Sequence, residues 1–203
     1  MNFEILKPFG PSIVKVVMPK EIVAGMNEYV DDLIKNKNEM DKLNHGKYLA
    51  GNVTNEFRLD VEFMKKIKWV EFLASSCEKW LLEGHNITLR RFDMIASWIV
   101  RQFKNEYNPT HWHSGHISGV GYLKVPENFG SSPQSNKKSN PNGRLELIHG
   151  SRQFLCNSLF KVKPKVGEFY FFPNYLMHTV YPFKDSDEER RSVSFNADID
   201  EDI

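Results

Sequence analysis

Three histidines stand where their spacing could do chemistry. His111 and His113 lie two positions apart in His111-Trp112-His113, just ahead of the apolar run Ile117-Ser118-Gly119-Val120-Gly121-Tyr122-Leu123. In a strand, that spacing puts both imidazoles on one face. A second β-rich run, Phe169 to Val180, delivers His178, and a third, starting at Arg190-Arg191, follows twelve residues later. Imidazole suits divalent iron, and a paired ligand with a distant histidine is a way for a strand barrel to hold it. The expected chemistry is that of a non-haem iron oxygenase.

The elements around these residues read as helices first and strands afterwards. Ile13 to Val17 is a strand at or near a sheet edge, after the interruptions of Pro8, Gly10 and Pro11. Pro19 opens a helix whose apolar residues Ile22, Met26, Val30 and Leu33 recur at helical spacing through about Asn36. Lys35 to Tyr48 is polar and reads as a loop, and Leu49 to Thr54 as irregular chain. Asp60 caps a second helix with a broad apolar stripe, Phe63 to Leu81, that ends at Gly84. Cys77 lies in that stripe and reads as a packed thiol. From Ile87 the texture is β: 87–94, 96–103, 144–148, 169–172 and 190–197 are the clearest strands. Gly130 to Gly143 is polar and low in complexity, a disordered excursion or a mobile lid. Two helices followed by about seven strands make an α+β order, mainly β, with the helices backing an antiparallel barrel or sandwich.

The totals exclude several classes. At 203 residues, one domain is the default, and 40% hydrophobic with 13% aromatic residues rules out general disorder. A net charge of +1 gives no basic footprint for nucleic acid. Two cysteines make no disulfide framework, and no apolar run reaches membrane-spanning length. The reading is a cytoplasmic protein without a membrane partner.

Taken together, the motifs resemble a known family. Ser97-Trp98, His111-x-His113, Ser118-Gly119-Val120-x-Tyr122-Leu123, Gly167, Phe172-Pro173, His178-x-Val180 and Arg190-x-Ser192-Val193-Ser194-Phe195-Asn196 are similar to those of 2-oxoglutarate/Fe(II)-dependent oxygenases, in the branch of prolyl-hydroxylase-like and phytanoyl-hydroxylase-like enzymes. The resemblance covers about residues 95–197. It implies a double-stranded β-helix (jelly-roll, cupin-like) core at 86–203, supported by helices at 1–85, in a single domain spanning 1–203. It also implies Fe(II) at His111 and His178, with Arg190 gripping the far carboxylate of 2-oxoglutarate. A guanidinium fork matches a carboxylate bidentately and keeps its charge. Ser192 shares the strand face of Arg190 and could add a hydroxyl. Arg191 points the other way, to solvent or a surface pair. Tyr122, Trp98 and Phe172 line the pocket or pack the core. Asn196 bonds the metal-proximal end of the co-substrate or caps a turn. His116 falls on the opposite strand face from His113, and His45, His85 and His149 are not read as ligands.

The chain departs from the family pattern at one ligand. Where an aspartate or glutamate normally completes the metal face, this chain has His113. Either His113 ligates as a third neutral imidazole, or it points away, or Glu106, Glu127 or Glu146 reaches in. Direct ligation by His113 is the arrangement adopted. The activity implied is oxidative decarboxylation of 2-oxoglutarate with dioxygen, coupled to hydroxylation of a small-molecule or peptidyl substrate. Two alternatives stand beside it. A three-histidine cupin-type dioxygenase would bind its substrate without 2-oxoglutarate, and a β-sandwich binding module would have no catalysis at all. Arg190-x-Ser192 after His178 is the feature that argues against the cupin-type reading.

Overall fold

The structure, a computed structural model, describes residues 10–44, 46, 51–131 and 140–202. His45, residues 47–50 and residues 132–139 of the excursion lie outside it. Val14–Val17 forms β1, Lys20–Leu33 α1, Lys37–Leu43 α2 and Asn55–Arg58 β2. Two further helices, α3 (Val61–Lys66) and α4 (Trp69–His85), lead to the long strand β3 (Thr88–Gln102). The remaining strands are β4 (Asn108–His111), β5 (Ile117–Lys124), β6 (Leu145–Ile148), β7 (Leu159–Val162), β8 (Glu168–Pro173), β9 (Met177–Val180) and β10 (Arg190–Asp202).

These strands form two antiparallel sheets, a six-stranded one in the order β1-β8-β5-β10-β3-β2 and a four-stranded one in the order β4-β9-β6-β7. This is the jelly-roll, double-stranded β-helix architecture expected from the sequence. Residues before 86 supply both edge strands of the larger sheet, β1 and β2, as well as the helices. The outer face of that sheet carries Phe57, Ile99, Phe169, Phe171, Val193 and Phe195, packed under Met26, Val30, Trp69, Leu73 and Cys77 of the helices. A second apolar cluster, with Tyr122, Leu145, Leu147, Tyr170 and Phe172, fills the space between the sheets.

Glycine is required at two places in this packing. A Cβ on Gly119 would sit 2.6 Å from the Phe169 ring, and one on Gly121 only 2.3 Å from it. The alternation Gly119-Val120-Gly121-Tyr122 thus makes one face of β5 bare, so that the Phe169 ring can lie against the backbone.

Several local readings are corrected. The polar stretch after Asn36 is not wholly loop: 37–43 is helical, capped by the Asn36 side chain, which accepts from the Glu39 N–H. The helix expected over 60–84 is two, because Lys68 adopts a left-handed φ of 57° and breaks it; Asp60 does cap the first. The second ends on Asn86, also left-handed at φ 57°, instead of Gly84. The strands expected at 87–94 and 96–103 are one strand with a bulge at Ile95, where pairing moves from Ala96↔Asn196 to Met94↔Ala197. Among the described residues no helix is long and apolar enough to cross a membrane.

Candidate metal centre

Cross-strand register explains which side chains enter the space between the sheets. Residues opposite one another in antiparallel strands share a face. Glu56 on β2, Val100 on β3, Ser192 on β10 and Tyr122 on β5 form one such row. Trp98, Ser194 and Val120 form the next, and Gln102 stands opposite Arg190 on the other side. All of these face inward. The alternating residues, Phe57, Ile99 and Val193 among them, face the helices.

The smaller sheet supplies the histidines. His111 ends β4 and lies directly opposite His178 on β9. His113 lies beyond the end of β4, so its position is set by a turn and not by strand parity. Asn174 fixes that turn: its carbonyl accepts from the His113 N–H at 3.2 Å, and its Nδ2 donates to the His113 carbonyl at 3.0 Å. Asn174 carries no sequence signal of this role beyond its place in the turn before His178.

The three imidazoles converge. Their ligand nitrogens all lie within 4.8 Å of one another, and the ring centroids are 4.3–5.0 Å apart. His111 Nδ1 is 2.7 Å from the Pro109 carbonyl and His178 Nδ1 is 2.9 Å from the Leu176 carbonyl. A carbonyl can only accept, so each Nδ1 carries the proton and each Nε2 presents its lone pair. His113 Nε2 and His178 Nε2 are 3.2 Å apart. Neighbouring nitrogens on one metal, each at about 2.1 Å, would be separated by about 3 Å. The donor set therefore fits a divalent cation.

Electrostatics favour the ligand form of all three. Burial, and then the neighbouring His178 and His111, push His113 down to about 3. Burial and His111 push His178 down to about 4. His111 is lowered too, by burial, against the opposing bond to Pro109. Near neutral pH the site offers three uncharged imidazoles. The carboxylate alternatives are overturned. Glu106 accepts from the Phe103 N–H and the Thr54 hydroxyl; Glu127 is exposed; Glu146 lies in the row of Thr179 and Lys161, off the His178 face, with Lys161 3.5 Å away. None of them belongs to the cluster.

Arg190 lies at the same cavity, a space of about 280 Å³ also lined by the three histidines, Ser192 and Trp98. It is 2% exposed. Nη1 donates to Gln102 Oε1 at 2.7 Å, while Nε and Nη2 are buried without a partner. Its guanidinium lies 5.1 Å from the centre of the Tyr122 ring, whose buried hydroxyl is likewise unpartnered. Burial lowers the Arg190 pKa and raises that of Tyr122, and the interaction between the two side chains opposes burial in each. A buried cation with two free donors fits a ligand carboxylate. Asn196 stands apart: it is not among the residues lining the cavity, and its Oδ1 accepts from Ser118 Oγ at 2.9 Å.

Arg191 corrects an expectation. It does point away from Arg190, but the outer face of the sheet is covered by helices, and Arg191 is 1% exposed. It donates to Glu189, to Asn27 and to Asp31, the last at 2.7 Å, and so ties β10 to α1.

Fold and site define a double-stranded β-helix protein with a three-imidazole centre and a buried arginine in one cavity. Residues 96–196, just short of half of the chain, match the family described as "Putative 2OG-Fe(II) oxygenase". That segment is similar to this family, and match and fold together point to an oxygenase of the 2-oxoglutarate/Fe(II) class rather than a purely non-catalytic module. Solved structures agree on the fold. A Pseudomonas putida prolyl-4-hydroxylase is 15% identical, with 91% of each chain covered and a TM-score of 0.59. A viral collagen prolyl hydroxylase from Paramecium bursaria Chlorella virus-1, solved as its 2-oxoglutarate complex, is 16% identical over 91% of this chain and 94% of that one, at a TM-score of 0.55. The non-heme alpha-ketoglutarate-dependent epimerase SnoN from nogalamycin biosynthesis is 15% identical over 91% of this chain and 76% of its own, at 0.59. Among curated proteins, none matches.

Proposed function

We propose that this chain is a cytoplasmic dioxygenase that holds Fe(II) with His111, His113 and His178 and uses 2-oxoglutarate to hydroxylate a small-molecule or peptidyl substrate. The observation that carries the reading is Arg190: a buried guanidinium with two unpartnered donors, in the cavity that three neutral imidazoles share. Fe(II) bound there supplies dioxygen activation, coupling decarboxylation of 2-oxoglutarate to succinate and CO2 with insertion of oxygen into a substrate C–H bond.

The chain's own residues bind, orient and seclude. The carbonyls of Pro109 and Leu176 fix the tautomers of His111 and His178, and Asn174 holds the His113 backbone. Arg190 takes the far carboxylate of the co-substrate, Gln102 holds the guanidinium through Nη1, and Ser192 lies in the same lining. Trp98, Phe172 and Val180 wall the cavity and exclude water. Three imidazoles leave the metal one negative charge poorer than two imidazoles and a carboxylate, which strengthens its hold on an anionic co-substrate.

Replacing Arg190 by alanine should abolish 2-oxoglutarate turnover while iron affinity stays within a few-fold of wild type, a range set by the separate roles of the two sites. Equal loss of both would overturn the assignment.

A further inference from the structure

The cavity has a second polar wall that the oxygenase reading leaves without work. Glu56 faces inward from the edge strand β2 and lines the cavity at 1% exposure. Among the described residues its Oε2 has no hydrogen-bond partner. Asn108, at the start of β4, lines the same cavity, and its Oδ1 is also buried without a partner. The two side chains meet over Gly51: a Cβ there would lie 2.9 Å from Glu56 Oε1 and 2.9 Å from Asn108 Oδ1. Glu56 Oε1 and Asn108 Oδ1 therefore border one small space, while Oε2 of the same carboxyl is turned toward Gly46, 3.9 Å from where a Cβ on that residue would lie. The backbone fixes the space, since Asn52 and Tyr107, the neighbours of Gly51 and Asn108, exchange hydrogen bonds at 2.9 and 3.3 Å.

No donor in the described residues answers these oxygens. Arg190 does not serve: its one bond goes to Gln102, and Glu56 is governed by burial alone, which pushes its carboxyl up to about 7. The register places the two ends apart. Glu56 stands two strands across the sheet from Ser192, a backbone separation of about 10 Å. The cavity thus carries a cation at one end and a carboxyl with an amide oxygen at the other.

Buried acceptors left open are costly, and a buried carboxylate most of all. What satisfies both is a ligand that brings several N–H donors and a positive charge. An ammonium offers three donors and a guanidinium five. We infer that Glu56 and Asn108 are specificity-determining residues that receive an ammonium or guanidinium group of the substrate, so that the molecule oxidised here is a cationic amine, a basic amino acid or a basic side chain. This deepens the proposed function and rests on it for the identification of the bound molecule as substrate.

The probes are n-butylguanidinium and n-butylammonium, with n-butylurea as the neutral control of similar shape. Each is titrated calorimetrically into anaerobic protein loaded with Fe(II) and 2-oxoglutarate. The cations should bind at least about tenfold more tightly than the urea in wild type, and in Glu56→Gln the preference should shrink to about twofold or less. Affinity for 2-oxoglutarate should be the same in both proteins. Gly51→Ala, which drives a methyl against both oxygens, should weaken the cations in the same direction without removing either acceptor. Equal binding of urea and cations by wild type, or a preference that survives Glu56→Gln, would overturn the inference. If 2-oxoglutarate fails to bind while the cation preference persists and depends on Glu56, the cation site stands and the co-substrate reading falls.

Discussion

Arg190 and Gln102 face each other across the β10–β3 ladder, and Gln102 Oε1 accepts from Arg190 Nη1 at 2.7 Å. Gln102 is itself fully buried and donates through Nε2 to the Glu106 carbonyl. The guanidinium is thereby held from one side, leaving Nε and Nη2 open. A hydrogen bond to a charged group is worth about 1.5–3 kcal/mol. Gln102→Met keeps the volume and removes the bond. Affinity for 2-oxoglutarate should fall about tenfold or more, measured by titration of the iron-loaded protein, with iron binding unchanged.

The neighbouring arginine should behave in the opposite way. Arg191 is buried among Glu189, Asn27 and Asp31, and Glu189 also receives Arg101 at 2.8 Å. Removing one partner of a buried charge network costs about 3–5 kcal/mol. Arg191→Met should lower stability by that order in a denaturant titration, while the protein that remains folded binds 2-oxoglutarate normally. Burial alone would raise the Glu189 pKa, but Arg191 and Arg101 outweigh it and hold the carboxyl below its usual range. A depressed carboxylate contributes stability above its unfolded pKa, near 4.3, and loses it as pH falls through the folded value. The gap in melting temperature between wild type and Glu189→Gln should therefore be widest near neutral pH and close in acid. A gap constant down to pH 3 would contradict the pairing.

Asn174 touches no metal, yet it holds the turn that carries His113 at 3.0 and 3.2 Å. Alanine at this position removes the Nδ2 bond at 3.0 Å and keeps the backbone one, and loss of such a supporting bond typically costs about 10–100-fold in metal affinity. Asn174→Ala should show that loss in a competition titration with Fe(II), with little change in melting temperature. A large drop in melting temperature at unchanged affinity would make Asn174 a fold residue only.

How much of this was legible in the sequence depended on whether the signal was local. The parity of Arg190 and Ser192 follows from strand alternation and the three histidines from motif order, although a turn and not strand parity places His113; the structure gathers all five at one cavity. The Gly119-Val120-Gly121 alternation was legible as a motif, but its reason, the Phe169 ring lying on the bare face, needed the partner strand. Arg191 was misjudged because parity says which face a residue takes and not what covers it; the covering helix is about 160 positions away. Glu56 was invisible for a similar reason: β2 is four residues long, and its cavity face is defined only by pairing with β3. Lys68 and Asn86 in left-handed backbone interrupt and end helices where composition gave no warning.

The central claim is that the three-histidine site binds iron and seats 2-oxoglutarate on it through Arg190. An anaerobic titration of the iron-loaded protein with 2-oxoglutarate, followed in the visible region, tests it most directly. The account predicts a metal-to-ligand charge-transfer band that appears in wild type, is lost in His111→Ala and needs far more co-substrate in Arg190→Ala. Tight iron binding with no band at saturating 2-oxoglutarate would contradict it and turn the reading to a three-histidine dioxygenase that binds its organic substrate directly.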